Sequence, residues 1–200
     1  MDQNRWFSDK GKNLLVSFYF SGLQIPANRQ FVFNQYFALT TREFLSQYVD
    51  NVLIKWPNDI YVNGKKLAGD LTEHNLRGDT LQESVAGIGI NVNQDRFPSD
   101  VPHPTSLFME TQQFHDVDNL LVSYWQMLEN KLGTLSLSNE SELKQQYLKY
   151  LYRLNERCSY LVDNQKVEAT IKDVDKYGRL LLEDGSGRLR ACAFKEVAFI

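Results

Sequence analysis

The sequence predicts an α/β (α+β) protein: a main domain over residues 1–154 and a small β-barrel over residues 155–200. Three observations carry that expectation. Up to about Asn155, short apolar runs bounded by turn residues alternate with longer segments of helical spacing. Asn63-Gly64 stands between two strand-like runs, a strong hairpin signal. From Cys158 the chain reads as short strands separated by DNQ, KYG and DGSG, a spacing that suits a small barrel better than continued α/β structure.

The elements follow in order. Asn13 to Phe20, NLLVSFYF, reads as a buried strand that GLQIPANRQ ends. Residues 29–49 are too many for a strand, and Phe33, Phe37, Phe44 and Tyr48 recur at spacings that share a helix face. NVLIKW and IYV are strands joined by Pro57-Asn58-Asp59, and Asn63-Gly64 turns the chain into a third strand from Leu67 to about Glu73. ESVAGIGINVN continues the sheet, whereas QDRFPSDVPHPTSLF, with three of the five prolines, is an irregular crossing. Two helices come next. DVDNLLVSYWQMLENKLGTL has an Asp to cap its start and places Tyr124 and Trp125 in the core; SNESELKQQYLKYLYRL offers Ser138 or Asn139 as cap, with acidic residues in the first turn. CSYLV, KVEATIKDVD, RLLLED and RLRACAFKEVAFI are the strands of the barrel.

Composition narrows the function. A hydrophobic fraction of 42% with 24% charged residues is that of an ordinary globular chain. A net charge of −3 gives no reason to expect nucleic acid, whose binding relies on clustered Lys and Arg. Two cysteines, Cys158 and Cys192, are too few for a disulfide framework and lack metal-ligand spacing, which fits a reducing, cytoplasmic setting. No run approaches the roughly 18 apolar residues of a membrane span, and MDQNRWFSDKGKN lacks the apolar core of a signal peptide, so neither membrane nor export is expected. His74, His103 and His115 are dispersed and receive no metal or base role.

Chemistry concentrates in KWPNDIYVNGKKLAGD, Lys55 to Asp70. A two-residue turn at Asn63-Gly64 pairs Val62 with Lys65, Tyr61 with Lys66 and Asp59 with Ala68. Side chains alternate, so Asp59, Tyr61, Lys66 and Ala68 share one face and the two lysines point opposite ways, Lys65 to solvent. Lys66 then lies diagonally from Asp59, within reach of a long side chain, and small Ala68 leaves room. In GIGINVN, Gly87, Gly89, Asn91 and Asn93 alternate with Ile88, Ile90 and Val92: one face is β-branched core and the other nearly bare backbone, suited to a flat ligand or to close packing of a helix. Trp6, ahead of a polar loop, reads as a loop anchor or as a platform for a purine, with Arg5 placed to meet a phosphate.

Taken together, KWPND, GKKLAG, GIGINVN and PTSL, in that order and spacing, resemble the biotin protein ligase (biotin–acetyl-CoA-carboxylase ligase) family. The resemblance implies a catalytic domain with a mixed sheet, related to class II aminoacyl-tRNA synthetases and lipoate ligases, followed by a small SH3-like C-terminal domain. It implies ATP and biotin as substrates with Mg²⁺, formation of biotinyl-5′-AMP, and transfer of biotin to a lysine of a biotin carboxyl carrier protein or domain; a homodimer stays open. Carried over, Lys66 contacts the biotin carboxylate and the acyl-phosphate oxygens, and Asp59 places Lys66 or a Mg²⁺-bound phosphate. Gly69, Gly87 and Gly89 border biotin, Asn91 faces the adenosine side, and Trp6 stacks near adenine. A non-catalytic biotin-binding or carrier-docking protein and a lipoate-type ligase are the other readings.

The sequence departs from the family pattern twice. Members carry a loop of the form G-R-G-x-x-G-R just before the tryptophan and a Ser/Thr-rich strand ahead of it, and here Met1 stands five residues before Trp6. An N-terminally truncated catalytic domain is therefore expected. The family usually has an aliphatic residue after KLAG, where this chain has Asp70. A regular strand would put Asp70 on the face of Lys66, in competition for its charge; a bulge would turn it to solvent.

Overall fold

The computed structural model describes residues 6–133, 135 and 137–200. The first sheet has the order β1-β5-β4-β3-β2, built from β1 (Leu14–Pro26), β2 (Val52–Lys55), β3 (Asp59–Val62), β4 (Lys65–Arg77) and β5 (Thr80–Ile90). Helices α1 (Phe31–Leu45), α2 (Leu107–Thr111), α3 (Val117–Leu132) and α4 (Glu140–Lys149) accompany it. The second sheet, β10-β6-β7-β8-β9, comprises β6 (Arg157–Val162), β7 (Gln165–Val174), β8 (Leu180–Asp184), β9 (Leu189–Cys192) and β10 (Val197–Phe199). The α+β class is as expected. Every named strand pair is antiparallel, and parallel pairing among the described residues is confined to the single bridges Ile54–Leu151, Lys66–Pro104 and Leu154–Ile171.

The helices pack on one face of the first sheet. Leu14, Phe18 and Phe20 of β1 lie opposite Ile90, Ala86 and Ser84 of β5, all buried, while Leu15 and Tyr19 on the other face are exposed. Phe33, Phe37 and Phe44 of α1 and Tyr124 of α3 are essentially inaccessible and fill the space above the buried face. Deleting any of these rings costs about 3–5 kcal/mol by the usual large-to-small rule. A polar network lies on the same face, where the His74 ring joins Ser84 Oγ (2.9 Å) to Asn34 Oδ1 (2.8 Å) and Asn34 Nδ2 donates to Thr72 Oγ1 (2.9 Å).

Three expectations are corrected. Strand β1 does not end at Gly22: a bulge between Ser21 and Ile25 lets pairing with β5 resume, Gly22 takes the left-handed conformation (φ 75°) there, and Leu23 and Ile25 remain buried. Tyr124 is core but Trp125 is 40% exposed, because adjacent residues on a helix cannot face one direction; its ring stacks on Phe18. Helix α4 stops at Lys149, and Leu151 then pairs with Ile54 of β2. Asp116 caps α3 as expected, its side chain accepting from Asn119 N–H.

Candidate active site

Asn63 and Gly64 both adopt left-handed backbone (φ 51° and 76°), the two-residue turn expected, and Val62–Lys65 and Tyr61–Lys66 are paired. Beyond them the register shifts. Lys66 N–H donates to His103 O (2.7 Å) and Lys66 O accepts from Thr105 N–H (2.9 Å), so Lys66 is tied to the irregular crossing and Leu67 becomes the extra residue of a bulge. Ala68 then lies opposite Ile60, and Gly69, not Ala68, lies opposite Asp59.

The bulge brings the lysine and the aspartate together. Lys66 Nζ is 2.6 Å from Asp59 Oδ1, and both side chains remain partly open to solvent. Room for this contact comes from Gly69, where an added Cβ would stand 3.1 Å from Asp59 Oδ1 and from Lys66 Cε and Nζ. Gly69 faces Gly89 across the β4–β5 pair, and the Trp6 indole lies on Gly89 so closely that an added Cβ would be 2.6 Å from Trp6 Cε2. Lys66 Nζ is 5.6 Å from the centre of the Trp6 ring. Trp6, Asp59, Lys66, Gly69 and Gly89 therefore form one constellation on the sheet face away from the helices, with Gly87 farther along the same strand beside Ser17 Oγ and Leu71 O. Lys65 is exposed, as expected. Arg5 lies outside the described residues.

Asn91 does not join this face. It is buried, its Nδ2 donates to Thr105 O (2.9 Å) and its backbone bonds Leu67 O and Leu107 N–H, so it braces the crossing that holds Lys66. Its Oδ1 is buried without a partner among the described residues.

Lys55 belongs to the constellation although the sequence reading gave it no role. It is the register partner of Asp59 and so points the same way. Its ammonium donates to Tyr61 Oη (2.8 Å) and stands 5.1 Å from the ring of Phe199 in the second sheet. Burial lowers the Lys55 pKa, with Asp59 opposing the shift, and burial together with Asp59 pushes the Tyr61 phenol up to about 12. Counting three residues, Trp56 to Asn58, between the strands would have revealed the Lys55–Asp59 pairing.

Asp70 takes neither course expected for it. The bulge removes it from the face of Lys66, but its register partner is Ile88, so the side chain enters the core; it is 6% exposed and neither oxygen has a hydrogen-bond partner among the described residues. Burial, then Asp59, raises its pKa well above the ordinary carboxylate value, and Lys66 and the Thr41 hydroxyl only partly offset this. Donor accounting agrees. Thr41 gives its proton to Phe37 O (3.0 Å) and its oxygen is 2.7 Å from Tyr124 Oη, so it has no second proton for a carboxylate, whereas a neutral acid can donate.

Two clefts, of about 420 and 350 Å³, lie elsewhere, one beside the Asn63 turn and one between α1 and α4. The lysine–aspartate pair occupies an open sheet face instead.

The fold, with its bare glycine strand and a second antiparallel sheet, is that of the protein ligases that handle biotin. A biotin protein ligase from Aquifex aeolicus, in complex with biotin and ATP, superimposes with a TM-score of 0.73 at 25% identity over 98% of this chain and 81% of that one. The family model described as "Biotin/lipoate A/B protein ligase family" matches residues 2–91, and the one described as "Biotin protein ligase C terminal domain" matches residues 154–197. The bifunctional ligase/repressor BirA of Escherichia coli is 28% identical over 184 residues, 90% of this chain and 56% of that protein. The biotin–[acetyl-CoA-carboxylase] ligase of Paracoccus denitrificans is 27% identical over 145 residues, 68% of this chain and 58% of that protein. The chain belongs to the biotin protein ligase family, and it spans a little over half the length of these curated relatives.

Proposed function

We propose that the chain carries the reaction face of an ATP-dependent biotin–protein ligase, with residues 1–154 as its catalytic domain and residues 155–200 as its C-terminal domain. The observation that carries this reading is the Lys66–Asp59 pair on a glycine-bearing strand face beside Trp6. A carboxylate attacks the α-phosphorus of ATP only if the repulsion between two anions is relieved. The Lys66 ammonium is placed to do that, first against the biotin carboxylate and then against the oxygens of the mixed anhydride. The oxygen–phosphorus bond forms as pyrophosphate leaves. A carrier lysine then attacks the acyl carbon and AMP departs. Asp59 holds the Lys66 ammonium in place between the two steps.

Gly89 is already covered by Trp6, so the ring of biotin is assigned to the strip at Gly69 and Gly87, with the open side of Trp6 toward adenine; a phosphate contact for Arg5 rests on the family resemblance alone. Among the described residues no cluster of three metal-ligating side chains exists, so Mg²⁺ is expected on the phosphates with Asp59 as its one carboxylate. Free Cys158 and Cys192 fit a cytoplasmic setting. A biotin carboxyl carrier protein or domain is the expected acceptor, and association with a second copy is compatible with this reading. Incubation with biotin and ATP, followed by mass spectrometry for biotinyl-AMP and for a biotinylated carrier, tests the proposal. Product with lipoate in place of biotin would move it to the lipoate branch of the family, and product with neither acid would refute it.

A further inference from the structure

The turn that launches Asp59 is gripped residue by residue. The Trp56 indole N–H donates to Gly178 O at 2.9 Å, Trp56 is buried, and Phe194, in the turn between β9 and β10, packs against its ring (centroids 6.4 Å apart). Tyr147 Oη of α4 donates to Pro57 O (3.2 Å). Asn58 O accepts from Asp70 N–H (2.8 Å), and Asn58 Nδ2 donates back to Asp70 O. Of these three residues, Trp56 is the one whose hydrogen bond comes from the turn that joins β7 and β8 of the second sheet.

Gly178 is shaped for that contact. It sits in the β7–β8 turn with φ 82°, and an added Cβ would be 2.5 Å from the Phe31 ring, so the turn reaches Trp56 only because no side chain intervenes. The turn is itself fixed, since the Asp175 carboxylate accepts from Tyr177 N–H and Arg179 N–H (both 2.9 Å) and Gly178 N–H donates to Asp175 O (2.9 Å). By contrast, the Lys66–Asp59 pair is partly exposed, and ion pairs of that kind hold their geometry weakly on their own.

We propose that Trp56 and Gly178 are positioning residues: through the indole hydrogen bond, the C-terminal sheet sets the Asp59 carboxylate against the Lys66 ammonium. The inference rests on the reading of that pair as the reacting centre, and it says what holds the pair in register. It makes the second sheet part of the active-site framework.

The test is competitive acetylation of the full chain with N-hydroxysuccinimidyl acetate, reading the labelling of Lys66 relative to exposed Lys65 by peptide mass spectrometry. An amine held in an ion pair is less free to attack the ester. Trp56→Phe keeps an aromatic ring but removes the N–H, and should raise the Lys66/Lys65 ratio about threefold, the scale of a partly exposed ion pair. Gly178→Ala should do the same, with circular dichroism confirming that each variant is folded. Asp59→Asn should also raise the ratio, and adding Trp56→Phe to it should then change nothing further, because the effect passes through Asp59. An unchanged ratio in folded Trp56→Phe, an equal rise in the Asp59→Asn background, or no response to Asp59→Asn would each overturn the proposal. A chain that shows the expected labelling but forms no biotinyl-AMP would overturn the ligase reading and leave the positioning role standing.

Discussion

Replacing Asp70 by Leu should stabilise the protein, and by more as the pH rises. Asp70 lies opposite Ile88 with both oxygens buried and unpartnered, so the wild-type chain bears the cost of an unsatisfied buried polar group, about 1–3 kcal/mol. The pH dependence follows from the direction of its shift. The folded-state pKa lies well above 3.8, so the folded chain keeps a proton that the unfolded chain has released. Stability is then greatest below the unfolded value and falls as pH rises from there toward the folded one. Asp70→Leu lacks this component, and so does Asp70→Asn, which keeps the shape but cannot ionise. Urea unfolding across a pH series from about 4 upward should therefore show a gain for the Leu variant that widens with pH. Infrared difference spectra between wild type and Asp70→Asn should show the carbonyl stretch of a protonated carboxylic acid persisting above the ordinary carboxylate range. A pH-independent gain, or an ionised carboxylate in those spectra, would refute the reasoning.

The sheet face yields further expectations. Lys66→Ala should lower biotinyl-AMP formation by about a hundredfold or more, while Lys65→Ala, on the solvent side, should stay within about twofold in the same single-turnover assay. Gly89→Ala should push the Trp6 ring off β5, seen as a change in tryptophan emission with weaker biotin binding by calorimetry; emission identical to wild type would contradict the 2.6 Å approach. Burial lowers the His74 pKa, so its contribution to stability is present above the ordinary imidazole value of 6.5 and is lost as pH falls through the depressed folded value. His74→Gln should flatten that acid limb in urea unfolding, and an unaltered limb would assign it to other groups.

Local chemistry was legible in the sequence, and chemistry set by distant chain was not. Asn63-Gly64 fixed the first two pairs of the hairpin because a two-residue turn admits one register. The prediction of Asp59 opposite Ala68 failed one step later because the main chain of Lys66 is claimed by His103 and Thr105, partners no local pattern announces. Lys66 still reached Asp59, since its own parity was set before the bulge. The family resemblance turns Asn91 toward adenosine, yet its side chain donates to Thr105 O in the same crossing. Trp125 was misplaced for a different reason: two adjacent aromatics were assigned to a face that holds only one of them. The glycine strand suits either a flat ligand or a closely packed helix, and what lies on Gly89 is the flat ring of the chain's own Trp6.

The one-residue bulge at Leu67 has a consequence for how this segment tolerates change. Between the Gly64 turn and Gly69 the strand has an odd residue to spare, and that residue sends Ala68 and Asp70 inward while Gly69 stays beside Lys66. The segment thus tolerates loss of the extra residue better than its incorporation into the ladder. Leu67 can exchange with another apolar residue at modest cost, and deleting it would leave a regular hairpin with Ala68 still opposite Ile60 and Gly69 still opposite Asp59. Drawing Leu67 into regular pairing would instead rotate every later side chain of β4 by half a turn: Asp70 would meet Lys66, Gly69 would leave a gap in the core, and Leu71, now exposed, would be driven against α1.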